Sequence, residues 1–82
     1  MQEELNEKID CKALFSKGTV TPQQFKWKKK WYVVQKVLLR WEDRKGRELL
    51  RHFSVTDKAN IFHIVFYPES LIWKLRGIDS EG

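Results

Sequence analysis

The chain has 82 residues, of which 41% are apolar, and its 16 Lys and Arg against 11 Asp and Glu give a net charge of +5. This length allows one domain with a single core, and the ordinary apolar fraction excludes an intrinsically disordered chain. A single cysteine, Cys11, excludes an internal disulfide, and no segment has the roughly 20 apolar residues of a membrane-spanning helix. The acidic N-terminus also lacks the apolar core of a signal peptide. We therefore expect a soluble cytoplasmic protein with no membrane partner.

The charges are unevenly placed along the chain. Residues 1–10 carry four acids and one lysine, whereas residues 11–78 carry fifteen cations and five acids. A basic body between acidic ends indicates a polyanionic partner. The alternative is that the charge serves solubility alone.

The N-terminal part predicts one strand and one connection. Residues 1–8 are acidic and are expected to be flexible, either frayed or in a short helical lead-in. The alternation of apolar residues from Ile9 to Phe15 predicts a first strand. Residues 19–23 contain Pro22, which has no N–H for a ladder, so they are expected to form a connection or a sheet edge.

An aromatic hairpin is predicted at residues 25–34. We place its turn at Lys29-Lys30, although these residues lack the Asn-Gly or Asp-Gly chemistry of the common two-residue turns. This register predicts two cross-strand pairs on one face: Trp27 with Tyr32, and Phe25 with Val34.

The apolar residues of the segment 33–42 fit two structures. They recur at i, i+3, i+4 and i+7, as on one side of a helix: Val34, Val37, Leu38 and Trp41. They also fit a strand that changes face through a bulge near Gln35-Lys36. The β-branched valines favour the strand, and no capping residue precedes Trp31. We prefer a long, bent strand and keep the helix as the alternative.

Three further strands complete the predicted fold. Polar turns separate them, and they lie at residues 49–56, 61–67 and 71–76. The second of these is apolar on both faces and should be a central, covered strand. Six strands in sequence predict an all-β protein, with a single small antiparallel meander and a highly curved or barrel-like sheet. The β domain covers residues 9–78, and residues 79–82 form a flexible tail.

The spacing of the aromatic residues resembles a small uncharacterised bacterial domain family. In that family an F-x-W hairpin precedes a Y-x-V-x-x-V-L-x-x-W strand and short aromatic strands follow, here Phe25-x-Trp27, Tyr32-x-Val34-x-x-Val37-Leu38-x-x-Trp41, Phe53-x-Val55, Phe62-x-Ile64-x-Phe66 and Trp73-x-Leu75. The similarity covers residues 9–78. Some members look to be appended to Y-family translesion DNA polymerases, so the resemblance implies a partner in a polymerase or another DNA-related complex. It carries over no catalytic residue, and the family's usual turn glycine is replaced here by Lys28-Lys29-Lys30.

The sequence has no pattern typical of an enzyme or of a cofactor or metal site. Cys11 lies on the apolar side of its strand and is expected to be a small buried side chain. His52 and His63 flank the turn at residues 57–60 and could meet across that hairpin, but they lack the close-spaced ligand pair of a zinc site. The four glycines are isolated, so there is no phosphate-binding loop. We expect no enzymatic activity, no cofactor and no bound metal.

The segment from residue 25 to residue 51 carries the functional prediction. It holds three tryptophans, ten cations and three acids, and so a formal charge of +7. Aromatic planes between cations can stack bases and neutralise phosphates. The predicted nucleic-acid-binding residues belong to the hairpin tip and, if the turn at residues 42–46 lies on the same side, to that turn: Lys26, Lys28, Lys29, Lys30, Trp31, Arg40, Arg44, Lys45, Arg47 and Arg51.

Trp31 is included because Tyr32 and Val34 occupy the inward positions of the hairpin, while the remaining aromatic residues of this segment, Trp41 among them, are assigned to the core. We expect a non-enzymatic binding module that binds nucleic acid weakly and without sequence specificity. Two alternatives remain open. The lysines can be a solvated turn that protects a strand edge, with Trp31 packed beneath the N-terminal segment. The protein can also be an accessory domain that binds another protein and makes no nucleic-acid contact.

Overall fold

The structure is a computed structural model that describes residues 2–80. It contains seven strands: β1 (Gln2–Ser16), β2 (Thr19–Trp27), β3 (Lys30–Val33), β4 (Lys36–Lys45), β5 (Glu48–Thr56), β6 (Asn60–Tyr67) and β7 (Ile72–Ser80). They form one antiparallel sheet in the order β3-β2-β1-β7-β6-β5-β4. The predicted all-β meander is confirmed, with seven strands in place of six. Residues 2–80 contain no helix that could cross a membrane.

The long strand β1 joins the two parts of the sheet. Its first half, residues 2–9, pairs with β7, and its second half, residues 10–16, pairs with β2. Strands β7, β6, β5 and β4 continue as a chain of hairpins. Register shifts in the pairs β1–β2, β1–β7, β4–β5 and β6–β7 mark bulges or irregularities, and bulges increase the local twist of a sheet. The sheet therefore curls around its inner face.

The two edge strands are joined by the short link Val34–Gln35. Val34 follows β3, and its N–H donates to the Gln23 carbonyl of β2 at 2.9 Å. Gln35 precedes β4, and its N–H donates to the Thr56 carbonyl of β5 at 2.8 Å. Strands β3 and β4 do not pair with each other in the sheet order. The sheet is strongly curved, and it is not a closed barrel.

The core lies on the inner face and follows the alternation of the strands. Phe25 is fully buried, and its ring centroid is 5.0 Å from that of Phe62 and 5.2 Å from that of Tyr32. The other buried members of this cluster are Ile9, Val20, Phe53, Val55, Ile64, Phe66, Trp73 and Leu75. On the outer face, Val65 packs in a smaller cluster with Leu50, Tyr67 and Ile72. Strand β6 is therefore buried on both faces, as predicted for residues 61–67.

Residues 2–8 do not form the frayed or helical lead-in that was expected. They belong to β1 and pair with β7, and the Trp27 indole N–H donates to a Glu7 carboxylate oxygen at 3.3 Å. Residues 79–80, assigned to a flexible tail, lie in β7. Both expectations are wrong for these residues because the partner strand lies about seventy residues away in sequence. Residues 1, 81 and 82 lie outside the described residues.

The aromatic hairpin forms, but its turn is one residue earlier than predicted. Lys28 and Lys29 occupy it with φ of 51° and 67°, and Phe25 pairs with Tyr32 in place of Val34. Two consecutive residues with positive φ match the right-handed twist of the strands that they connect. The same residues still face inward, because the pairing shifts by two positions and side chains alternate with a period of two.

Residues 33–42 contain strand and no helix, as preferred, but they do not form one long, bent strand: β3 ends at Val33, β4 begins at Lys36, and the two lie at opposite edges of the sheet. The register shift of β4 lies between Val37 and Leu39 and not at the predicted bulge near Gln35-Lys36.

Pro22 lies inside β2, opposite Ala13, where the β1–β2 register shifts. It lies beyond the part of β2 that pairs with β3 and at a register shift of the β1–β2 ladder, a position at which strands tolerate proline. Residues 19–23, expected to be a connection or an edge, lengthen β2, and the seventh strand arises because the predicted long strand after the hairpin turn is divided into β3 and β4.

Candidate nucleic-acid interface

The ten predicted binding residues do not form one surface. The turn at 28–29 precedes β3, and the turn at 46–47 follows β4. Since β3 and β4 are six antiparallel steps apart in the sheet, they run in the same direction. A turn before one strand and a turn after the other therefore lie at opposite ends of the sheet, and the predicted surface divides in two.

Two arginines that lie further from the second turn, Arg40 of β4 and Arg51 of β5, are engaged by the fold. The Arg40 guanidinium donates to the Val20 carbonyl at 2.7 Å and to the Thr21 hydroxyl at 2.9 Å, and its Cζ lies 5.5 Å from the centroid of the Phe53 ring. It therefore bridges the gap between β4 and β2. Residues Arg44, Lys45 and Arg47 are exposed around the turn itself.

Arg51 is also occupied, because its Nη1 lies 3.2 Å from a Glu42 carboxylate oxygen. Arg51 and Glu42 face each other directly across the β4–β5 pair. The ion pair is partly exposed, so it contributes only about 0–1 kcal/mol, but it leaves this cation with a partner inside the chain.

The lysines of the hairpin tip lie beside the aromatic residues of the inner face. Lys28 Nζ is 4.7 Å from the centroid of the Trp27 ring, and Lys30 Nζ is 5.0 Å from that of Tyr32. Lys29 is exposed. These cations form the rim of one end of the sheet.

Trp31 is the exposed aromatic residue of the hairpin, as predicted. It retains 41% of its surface exposed and lies on the outer face, where it pairs with Lys26, which in turn pairs with Asp10. Lys12 reaches Trp31 from the same face, with Nζ 4.7 Å from the ring centroid. Two lysines therefore flank one exposed indole.

A further pair of lysines lies on the same face. Lys8 of β1 is directly opposite Lys74 of β7, and like charges in this position destabilise a sheet. The Lys74 ammonium group is 5.1 Å from the centroid of the Tyr67 ring. We call the four lysines with Trp31 the outer basic face: Lys8, Lys12, Lys26, Lys74 and Trp31.

The sequence interpretation missed three of these five residues. Lys8 was assigned to an acidic, flexible N-terminus, Lys12 to an ordinary strand and Lys74 to the last strand. No local pattern relates them, because only the pairing of β7 with β1 and of β1 with β2 places them side by side. Lys26 and Trp31 were predicted.

His52 and His63 meet across the β5–β6 hairpin, as the sequence suggested. His52 Nδ1 and His63 Nε2 are 2.8 Å apart. Trp41, which was assigned to the core, is instead 41% exposed on the outer face. Its ring stacks on both imidazoles, with centroids 5.1 Å from His52 and 5.2 Å from His63. The assignment failed because β4 is an edge strand.

Both imidazoles are neutral at neutral pH. Burial, with smaller contributions from His52 and Arg76, lowers the pKa of His63 to about 4. Burial also lowers the pKa of His52, although the nearby Asp43 carboxylate opposes this shift. A neutral pair needs one N–H between the two rings.

The position of Asp43 indicates which of the two imidazoles carries the N–H between the rings. The buried His52 Nε2 has no hydrogen-bond partner, and it lies 3.9 Å from an Asp43 carboxylate oxygen. The carboxylate favours the tautomer with an N–H at this nitrogen, and in that tautomer His52 Nδ1 accepts from the His63 Nε2–H. Within the described residues, no group of three His, Cys, Asp or Glu side chains is placed to hold a metal ion.

Cys11 of β1 is half-buried and lies opposite Phe25 of β2. Burial raises the pKa of its thiol to about 12, so the nucleophilic thiolate is scarce at neutral pH. Its neighbours are core residues. The thiol therefore acts as a small apolar side chain.

No protein-family model, no curated protein and no solved structure matches this chain. The resemblance to a domain family associated with Y-family polymerases stays a prediction. The outer face, with its exposed tryptophan and grouped lysines, is therefore the feature of the molecule that bears on its function.

Proposed function

We propose that the protein is a non-enzymatic module that binds nucleic acid weakly, without sequence specificity, through the outer basic face. The observation that supports this is that four lysines from three strands share the outer face with one exposed tryptophan: Lys12 and Lys26 flank Trp31, and Lys8 is opposite Lys74. Asp10, opposite Lys26, is an acid of β1 on the same face. Phosphates take the positions next to the ammonium groups, and a base stacks on Trp31. Neither contact reads base identity, since every base has a π-face.

The charges on this face favour a polyanion. Lys8 and Lys74 are opposite each other without an intervening acid, so a phosphate near both relieves an unfavourable pair. Each lysine that neutralises a phosphate of a single strand changes the slope of log K against log salt by about −0.7. Four contacts therefore predict a slope of about −3.

Fluorescence anisotropy with labelled single-stranded and duplex DNA at several salt concentrations tests this proposal. The triple substitution Lys8→Gln, Lys26→Gln and Lys74→Gln should weaken binding and make the slope shallower by about 2. The matched control removes three cations at the other end of the sheet: Arg44→Gln, Lys45→Gln and Arg47→Gln. An equal loss in both variants, or no binding by the unaltered protein at low salt, would contradict the proposal.

The alternative function, an accessory protein-interaction domain, is supported by a different region. Phe15 and Leu71 are 62% and 75% exposed, and the Phe15 ring contacts that of Phe66 with centroids 5.7 Å apart. The resemblance implies a partner in a polymerase or another DNA-related complex. Binding to a purified Y-family polymerase that persists after nuclease treatment, and that is lost in the variant with Phe15→Ser and Leu71→Ser, would favour this alternative.

A cytoplasmic location also stays a prediction.

A further inference from the structure

The outer face has a hollow of about 420 Å³ beside Trp41. A cross-strand row runs beneath it, from Leu39 through Ser54 and His63 to Gly77. Ser54 and Gly77 are the small members of this row, and larger side chains, among them Leu39, Trp41 and Arg76, border the hollow, which is open to solvent. This volume is within the range of about 300–1,000 Å³ that is typical of small-molecule sites.

Trp41 forms a fixed aromatic wall of this hollow. Its ring centroid is almost equally far from His52 and His63, which are themselves 5.1 Å apart. The indole therefore rests on the hydrogen-bonded pair, and 41% of the residue remains exposed. The side chain of His52 is 9% exposed, so the support beneath the indole is buried. A plane held in this way loses little freedom when a ligand stacks on it.

Donors and acceptors converge on the same hollow. Within the described residues, Arg76 donates one long hydrogen bond, 3.4 Å to the Tyr67 hydroxyl, and it has several further N–H groups. His63 uses its Nε2–H on His52, which leaves Nδ1 as an acceptor. Asp79 and Ser54 also line the hollow. This mixture matches the edge of a nucleobase, which presents donors and acceptors in one plane.

The charges around the hollow distinguish a base from a phosphate. Two carboxylates, Glu4 and Asp79, line it together with the single guanidinium of Arg76. A phosphate would face both carboxylates, whereas an uncharged base would not be repelled. Leu39 and Ile61 add apolar surface on which a base can pack.

We propose that this hollow takes one unpaired nucleobase stacked on Trp41, and that the nucleic acid bound by the module is therefore single-stranded. A base within a duplex is paired and stacked on both sides, so it would have to be flipped out at a cost of a few kcal/mol. The inference rests on the proposed function for the strand that delivers the base. The base site itself is testable with free nucleotides.

The first experiment measures binding of a labelled single-stranded oligonucleotide and of the same sequence as a duplex. Trp41→Ala should weaken single-strand binding about tenfold or more and leave the salt slope unchanged, because it removes no charge. Ser54→Leu should have a similar effect by filling the floor of the hollow while Trp41 stays in place. It serves as the second variant if Trp41→Ala does not fold.

The second experiment follows the indole N–H signal of Trp41 by NMR, assigned through Trp41→Phe. Adenosine and cytidine 5′-monophosphate should shift this signal, and ribose 5-phosphate should not. An equal shift with ribose 5-phosphate would overturn base recognition. So would equal affinity for single strand and duplex.

The two proposals fail in different ways. If Trp41→Ala and Ser54→Leu bind single strands as tightly as the unaltered protein while the triple lysine variant loses binding, the base site is wrong and the outer basic face stands. If no nucleic acid binds at low salt, the proposed function is wrong. A selective shift of the Trp41 signal by nucleotides would then still support the base site.

Discussion

The arginines of the inner face and the lysines of the outer face use their charges differently. On the inner side, Arg40 donates hydrogen bonds of 2.7 and 2.9 Å to β2, and Arg51 lies 3.2 Å from a carboxylate. On the outer face, Lys12 and Lys74 lie over aromatic rings, and Lys74 is opposite Lys8. A cation that already has acceptors inside the chain stabilises the fold. A cation beside other cations is available to a polyanion.

The largest effect is expected at Arg40. Substitution Arg40→Ala removes the guanidinium that links the two edges of the sheet, and it leaves the Val20 carbonyl without this donor. Hydrogen bonds to charged groups contribute about 1.5–3 kcal/mol, so urea denaturation should show a loss of about 2–3 kcal/mol. Arg44→Ala, an exposed control on the same strand, should change stability by about 0.5 kcal/mol or less. Equal effects would show that Arg40 is not used by the fold.

The next effect is the pH dependence from the histidine pair. The pKa of His63 is lowered to about 4, below its usual value of 6.5, so the unfolded chain binds more protons between these two values. Stability should therefore fall as the pH drops through this range, by up to about 1 kcal/mol at pH 5 relative to pH 7, because the side chain is only partly buried and solvent screens its charge. Urea midpoints at the two pH values test this, and His63→Gln should flatten the dependence. An unchanged pH profile in that variant would contradict the assignment.

A substitution at the hairpin tip distinguishes a structural role of Lys28 and Lys29 in the turn from the nucleic-acid-binding role that the sequence predicted for them. Replacing Lys28-Lys29 by Asn-Gly should stabilise the protein by about 1 kcal/mol, because Asn and Gly tolerate the positive φ of both positions. The salt slope for DNA should change little, since neither residue is on the outer basic face. If the slope of log K against log salt became shallower by more than 1, the hairpin tip would be part of the binding site.

The smallest effect is expected at the lysine pair. Lys8→Glu places opposite charges across β1 and β7, and it should stabilise the fold by about 0.2–1 kcal/mol. The same substitution should weaken nucleic-acid binding. Arg44→Glu, with the same change of charge at the far end of β4, should affect binding much less. A protein that loses stability on Lys8→Glu would show that the pair is not strained.

The local sequence predicted where the strands lie better than it predicted which strands pair with each other. The valines of residues 33–42 indicated a strand and not a helix. Alternation along the hairpin alone indicated that Trp31 lies on the outer face. Trp41 was misplaced because its strand lies at an edge, which no local spacing indicates. Lys8 and Lys74 were missed because their neighbourhood is created by pairing between the two ends of the chain.

The sequence by itself determined that this chain forms antiparallel strands with an aromatic inner face, since alternation and β-branching act over a few residues. It also determined that the two histidines could meet, because they flank one short turn. The tertiary structure alone decided which cations have partners and which do not. That depends on strand order and register, which arise from contacts between residues far apart in the chain.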